Sequence, residues 1–349
     1  MTQPFRNLFF LLFLLPLMGQ GQGREKPLRE VAPFTLGTTL EMNSFARPEV
    51  VAIYRREFHR ITCGNSMKIK GSQPTADTFD FTMADSIVND ALRHGQLVHG
   101  HTLIWGKSLP DWLVNFQGDS VAWEQIMKTR IQTVMRHFKG RIHSWDVVNE
   151  AFNDDGTMRT VVKKKGQKEN LWCQKLGPDF VARCFQYARE ADPDALLFYN
   201  DYGQEYSEAK NKAILRMISS FRKRGIPIDG IGLQLHTSLD RPDALILKGI
   251  RAMASTGLLV HISELDVSVK KQLDEGMDPA AAAKAQAAKY ETIVKYMKSL
   301  PEKQQFGITL WGVTDADTWL KNDTPLLWDA HNHKKQAWYG FYRGLLQKP

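Results

Sequence analysis

The chain has 349 residues, 46 Lys and Arg against 38 Asp and Glu for a net charge of +8, 43% hydrophobic residues and three cysteines. That balance belongs to an ordinary globular protein and excludes a disordered, collagenous or disulfide-scaffold chain. At roughly 150 residues per domain the length allows one domain or two, because barrels of alternating strands and helices run from about 200 to over 400 residues as one unit.

Arg6 precedes an unbroken apolar run from Leu8 to Met18, and Gly19-Gln20-Gly21 follows. This is the three-part layout of a cleaved secretory leader, and the run is too short to span a bilayer. The reading is a leader over residues 1–21 and a mature chain over 22–349, secreted or periplasmic, with no membrane attachment after cleavage. Export permits oxidation of Cys63, Cys173 and Cys184, yet an odd count leaves at least one thiol without an intramolecular partner. A Cys173–Cys184 bridge is one arrangement; three buried thiols are the other and the favoured one. The spacing matches no zinc signature.

From Phe34 onward β-rich runs alternate with amphipathic helical stretches. The predicted strands are Phe34–Leu40, Ile61–Met67, Gln96–Trp105, Ile142–Asn149, Ala195–Asn200, Gly230–His236, Leu258–Leu265 and Phe306–Val313. The predicted helices are Pro48–His59, Phe81–His94, Val121–Phe138, Pro178–Ala191, Ser207–Arg224, Asp243–Ser255, Pro279–Leu300 and Trp338–Leu346. Pro178 and Pro279 mark helix starts, and Gly95, Gly225 and Gly257 fall just past helix ends. Strict alternation implies a parallel sheet, and eight units imply closure into a single (β/α)8 TIM barrel. No linker or short repeat marks a second domain. The positive charge is spread along the chain, and its one dense cluster, Lys163-Lys164-Lys165, reads as a solvated loop rather than a nucleic-acid surface.

In such barrels chemistry sits at the carboxyl ends of the strands. The second strand ends with Asn65 and Lys68, the third with His99, His101 and Trp105, and the fourth with Asn149 and Glu150. The fifth contributes Asn200, Asp201 and Tyr202, the sixth Gln234 and His236, the seventh Glu264 and Asp266, and the eighth Trp311 and Asp315. Glu150 and Glu264 therefore face each other across the barrel mouth. Two carboxylates about 5–5.5 Å apart suit retaining glycoside hydrolysis, in which one protonates the leaving oxygen and the other attacks the sugar carbon. Trp105, Trp311 and Trp319 offer flat faces for sugar rings among neutral hydrogen-bonding groups.

Two segments carry a family resemblance: Gly140-Arg141-Ile142-His143-Ser144-Trp145-Asp146-Val147-Val148-Asn149-Glu150-Ala151 and Val260-His261-Ile262-Ser263-Glu264-Leu265-Asp266-Val267. They resemble the catalytic segments of glycoside hydrolase family 10, the endo-β-1,4-xylanases. His101-Thr102-Leu103-Ile104-Trp105, Tyr199-Asn200-Asp201-Tyr202, Gln234-Leu235-His236 and Trp311-Gly312-Val313-Thr314-Asp315 add further segments in the same order, and the likeness runs from about Leu36 to Tyr339. The resemblance implies Glu150 as acid/base and Glu264 as nucleophile, with Asn149 on the hydroxyl of the sugar's second carbon. Lys68, His101, Trp105, Gln234, Trp311 and Trp319 would line the non-reducing-side subsites, Asn65 and Tyr202 would contact substrate, and His236 would sit between Glu264 and Asp266. It implies a xylan-type substrate, no metal or cofactor, and a monomer. An acid in this role needs a raised pKa while its partner stays charged.

The chain also departs from the family pattern. The second strand usually ends in Glu-Asn-x-x-Lys, and here Gly64 replaces that Glu; Gly106-Lys107-Ser108 stands for His-x-Gln after Trp105, and Gly203 for an Asn after Tyr202. These changes predict emptied space on the non-reducing side, with Lys107 meeting an acidic substituent, or else an enzyme of ordinary specificity. Three rival readings are a metal-dependent hydrolase built on His99-Gly100-His101, a non-catalytic glycan-binding barrel, and a retaining hydrolase of another β-glycan.

Overall fold

The computed structural model describes residues 25–347. The predicted leader over residues 1–21 lies outside the described residues. Nine strands form one parallel sheet: β1 Leu36–Leu40, β2 Arg60–Cys63, β3 Leu97–Trp105, β4 Ser144–Asn149, β5 Leu196–Asp201, β6 Gly230–Leu233, β7 His236–Ser238, β8 Leu259–Ser268 and β9 Gln305–Leu310. Neighbours run β6-β5-β4-β3-β2-β1-β9-β8, and β6 also pairs with β8, which closes the barrel. With β6 and β7 as one stave, the eight staves of a (β/α)8 barrel are complete.

The predicted sixth strand is broken at Leu235, whose φ of 56° is left-handed and interrupts the ladder. Beyond the break β7 pairs with β8 in the register His236↔Asp266. The second strand stops at Cys63 rather than Met67, because Lys68 N turns back to Asn65 O (3.1 Å) and a short helix follows over Ile69–Ser72. The eighth stave likewise ends at Leu310 rather than Val313. Short helices over Asp111–Val114, Leu171–Leu176 and Lys270–Asp274 lie between the predicted elements; at four to six residues they are too short to show periodicity.

The long helices form where the apolar spacing and caps place them. In Ser120–Phe138 the buried Trp123, Met127, Ile131, Val134 and Phe138 follow the helical repeat, and the Asp119 side chain accepts from Ala122 N (2.9 Å) to start it. Ser207 caps Glu208–Arg224 in the same way through Lys210 N (3.1 Å), and Gly225, at φ 66°, ends it in the left-handed conformation. All three cysteines are buried free thiols, and Cys184 Sγ faces Met127 Sδ at 3.4 Å, so the Cys173–Cys184 bridge is absent and the thiols serve packing. The Lys163–Lys165 run is exposed, with Lys164 paired to Asp155 at 2.8 Å.

One buried cation holds the β2 end of the barrel mouth in place. Arg130, on the helix outside β3, is fully buried and donates to Leu103 O (3.3 Å), Ser72 Oγ (2.9 Å) and Met67 O (2.7 Å). It fixes the turn that carries Asn65 and Lys68. Arg130→Met keeps the length of the side chain but strands three buried acceptors. We expect a loss of about 3 kcal/mol in unfolding free energy, measured by urea denaturation; a loss below about 1 kcal/mol would contradict this anchoring role.

Candidate active site

The carboxyl ends of the strands open into a cleft of about 1100 Å³. This exceeds the ~300–1,000 Å³ of a typical small-molecule pocket and suits a longer ligand. All nine predicted substrate-contact residues line it: Asn65, Lys68, His101, Trp105, Asn149, Tyr202, Gln234, Trp311 and Trp319. Glu150, Glu264 and His236 lie among them.

Both carboxylates are buried, and a run of side-chain amides joins them. Asn200 Nδ2 donates to Glu264 Oε1 (2.8 Å) and to Asn149 Oδ1 (3.1 Å). Gln234 Nε2 donates to the same Asn149 oxygen (3.1 Å) and to Glu150 Oε1 (3.3 Å). The Asn149 carbonyl is thus taken by two donors, which leaves its NH2 to face a ligand. Ser263 Oγ holds Asn200 in turn, at 2.6 Å. Backbone geometry aims the ends of the run: Glu150 has a left-handed φ of 56° and its N–H bonds to Asn200 O (2.9 Å), while Glu264 N bonds to Gln234 O (2.9 Å). A left-handed conformation in a non-glycine residue costs about 1–3 kcal/mol and clusters at functional positions.

Behind Glu264 stands a relay. His236 Nε2 meets Glu264 Oε2 at 3.1 Å and its Nδ1 meets Asp266 Oδ2 at 2.7 Å. Burial works against charge on this imidazole, but Asp266 and Glu264 outweigh it and push its pKa up to about 10. With both nitrogens protonated, His236 donates to both carboxylates at neutral pH. Trp319 Nε1 donates to the same Asp266 oxygen (2.9 Å) while the rest of its indole is exposed at the cleft rim.

Glu150 has a different environment from the one predicted. Burial would raise its pKa, but Arg159 Nη1 at 2.6 Å from Oε2 and Lys107 Nζ at 3.6 Å outweigh that effect and hold the carboxyl down at about 2. The direction is opposite to the expected raised pKa because a loop residue, Arg159, reaches back from beyond the strand. Arg159 also donates to Phe152 O (3.0 Å) and to Tyr202 Oη (3.0 Å). Nothing in the sequence marked it, since it lies nine positions past Glu150 in an irregular segment. Asn200 was legible as a strand-end residue, but its role depends on the β4–β5 register Asn149↔Asn200.

The space predicted to be empty is filled. A Cβ at Gly64 would overlap Glu41 Oε1, a Cβ at Gly106 would lie 3.0 Å from the Asn170 side chain, and one at Gly203 would lie 2.9 Å from Tyr206 Oη. Asn170 caps the Leu171–Leu176 helix there, through Trp172 N at 3.0 Å. Lys107 is occupied as well, between Glu150 and the face of Trp105 at 5.4 Å. Three other strand-end residues face away from the cleft. His99 binds Ser144 Oγ (2.8 Å) and shares Asp146 with His101, so the His99-Gly100-His101 pair is part of a buried strand network. Asp201 meets Tyr199 Oη (2.6 Å) and Lys210 (3.3 Å), and Asp315 meets Lys335 (2.8 Å).

Residues 28–343 match the family described as Glycosyl hydrolase family 10. The chain belongs to this family. It is 37% identical over 302 residues to an endo-1,4-beta-xylanase of Geobacillus stearothermophilus, covering 81% of this chain and 88% of that one. It is 35% identical over 355 residues to the endo-beta-1,4-xylanase Xyn10C of Cellvibrio japonicus, covering 91% of this chain but only 57% of that longer protein. A mutant of the Cellvibrio xylanase10C solved in complex with xylopentaose superposes with a TM-score of 0.86 at 34% identity, over 93% of this chain and 69% of that one.

If Lys107 helps to hold Glu150 ionised, removing it raises the carboxyl's pKa and extends the range in which the acid form exists. Lys107 is about half exposed, so its contribution is screened to about 1 kcal/mol. Lys107→Ala should move the basic limb of the kcat/KM pH profile up by about 0.7 of a unit. An unchanged or lowered limb would remove Lys107 from the control of Glu150.

Proposed function

We propose that the protein is a retaining endo-β-1,4-xylanase, with Glu150 as acid/base and Glu264 as nucleophile. The observation that carries the reading is the different compensation of the two carboxylates: a fixed His236–Asp266 pair behind Glu264, and beside Glu150 a buried Arg159 together with the half-exposed, movable Lys107. In the first step Glu264 attacks the anomeric carbon as the glycosidic bond breaks, and Glu150 gives its proton to the departing oxygen. A sugar entering beside Lys107 removes part of the positive field on Glu150, and its pKa climbs toward the value a general acid needs. The Asn149 NH2 is placed to hold the hydroxyl on the sugar's second carbon.

The intermediate is an ester between Glu264 and the sugar. Glu264 has then lost its charge, and Glu150, now a carboxylate beside Arg159, takes a proton from water as the oxygen of that water attacks the anomeric carbon. The ester breaks, the Glu264 carboxylate returns, and the sugar leaves with its original configuration. Xylan as substrate is supported by the names of the relatives and by the three indoles on the cleft. Export is supported by the leader pattern of residues 1–21; the amino-terminal sequence of protein recovered from an exporting host checks it.

Wild-type protein is expected to release xylo-oligosaccharides from xylan faster than products from unrelated β-glycans, with the first product formed as the β-anomer by proton NMR. Glu264→Ala should lower turnover by about 10³-fold or more with the fold retained. Activity near wild type in that variant overturns the mechanism. Absence of products from every β-1,4-linked polymer, with glycan binding intact in the variant, favours a binding protein instead.

A further inference from the structure

β1 and β2 pair in parallel through Leu40↔Cys63, and Gly64 N continues the ladder to Leu40 O at 3.0 Å. Residues 41 and 64 therefore leave adjacent strands side by side at the cleft wall. Position 64 has no side chain, and Glu41 fills its place: a Cβ there would overlap Glu41 Oε1 and lie 2.9 Å from Glu41 Cδ. The carboxylate is tied down locally. Asn65 Nδ2 donates to Glu41 Oε1 (2.6 Å), Lys68 Nζ donates to Asn65 Oδ1 (3.0 Å), and Ser44 Oγ accepts from Glu41 N (3.3 Å). Lys68 feels the negative charge of Glu264, Glu41 and Glu150, and its ammonium lies 5.1 Å from the ring of Trp105 and 6.0 Å from that of Trp311.

Resting on the xylanase reading, we propose that Glu41 is a specificity-determining residue: a substrate-binding carboxylate supplied by β1 to the point in the cleft that a side chain at position 64 of β2 would otherwise reach. A carboxylate is acceptor-only and takes two parallel hydrogen bonds, so it matches the neighbouring hydroxyls of one sugar ring, while Asn65 and Lys68 supply donors beside it. Burial raises the Glu41 pKa, and Lys68 and Asn65 oppose this. That tension is relieved when hydroxyl donors arrive. Glu41 touches neither reacting atom, so its effect falls on binding of the sugar chain along the β1–β2 wall.

The test is a relocation of the carboxylate. KM and kcat on xylopentaose are measured for wild type, Glu41→Ala, Gly64→Glu and the double variant Glu41→Ala/Gly64→Glu, each with its melting temperature. Glu41→Ala should raise KM by about 10- to 100-fold, the size of a charge-assisted hydrogen bond, with kcat within about threefold. The double variant should return KM to within about threefold of wild type, because a carboxylate carried on position 64 aims at the same point. Gly64→Glu alone should be impaired, since two carboxylates then compete for one site. An unchanged KM in Glu41→Ala overturns the proposal. A loss that the relocated carboxylate does not restore, in a double variant that melts like wild type, makes Glu41 a structural prop and also overturns it. Absence of wild-type turnover on xylopentaose would instead remove the xylanase reading, and the two failures stay distinct.

Discussion

Two buried carboxylates cannot remain in one cleft unless each is compensated, because a charge taken out of water and left unpaired costs several kcal/mol. The upper half of this barrel is organised around that constraint. Glu264 is served by His236, which Asp266 on β8 keeps protonated and Trp319 helps to align. Glu150 is served by Arg159 and Lys107, which arrive from loops. The amides of Asn200, Asn149 and Gln234 span the gap, so neither carboxylate shifts without disturbing the other's contacts. The asymmetry has chemical content. A partner fixed on a strand suits a group that must stay oriented, and partners on long side chains suit a group that must change protonation state twice per cycle.

The scaffold supplies the required precision by departing from ideal barrel geometry at the functional residues. Left-handed backbone at Glu150 and at Leu235 re-aims the chain where β4 and β6 end. The second of these splits one stave in two, which sends Gln234 toward the amide run and lets His236 pair opposite Asp266. Such strain persists only where surrounding structure over-determines it. Closure of the barrel between β6 and β8 and the burial of Arg130 under the β2 turn provide that surround.

Much of this was legible in the sequence, and the reason lies in periodicity. Strand and helix repeats located eight staves, and the rule that barrel chemistry gathers at strand ends then selected Glu150, Glu264, His236 and the residues that line the cleft. Legibility failed where a side chain travels far from its place in the chain. Arg159 reaches Glu150 from an irregular loop, and its effect on that carboxyl opposes what the role of acid alone predicts. Tyr206 and Asn170 fill the hollows beside Gly203 and Gly106 for the same reason. Glu41 was within reach of the strand-end rule, as it directly follows β1 with Asn43 and Ser44 close behind, but its place in the cleft depends on the β1–β2 register that sets it against Gly64.

The contact between Gly64 and Glu41 bears on how such chains are compared. Along the chain, the missing side chain at 64 and the acidic residue at 41 stand 23 positions apart and look unrelated. In space they are one feature, because Glu41 occupies the place that a side chain on β2 would take. A Cβ at position 64 would overlap Glu41 Oε1 and crowd its Cδ, so a side chain on β2 would push the Glu41 carboxylate out of this pose.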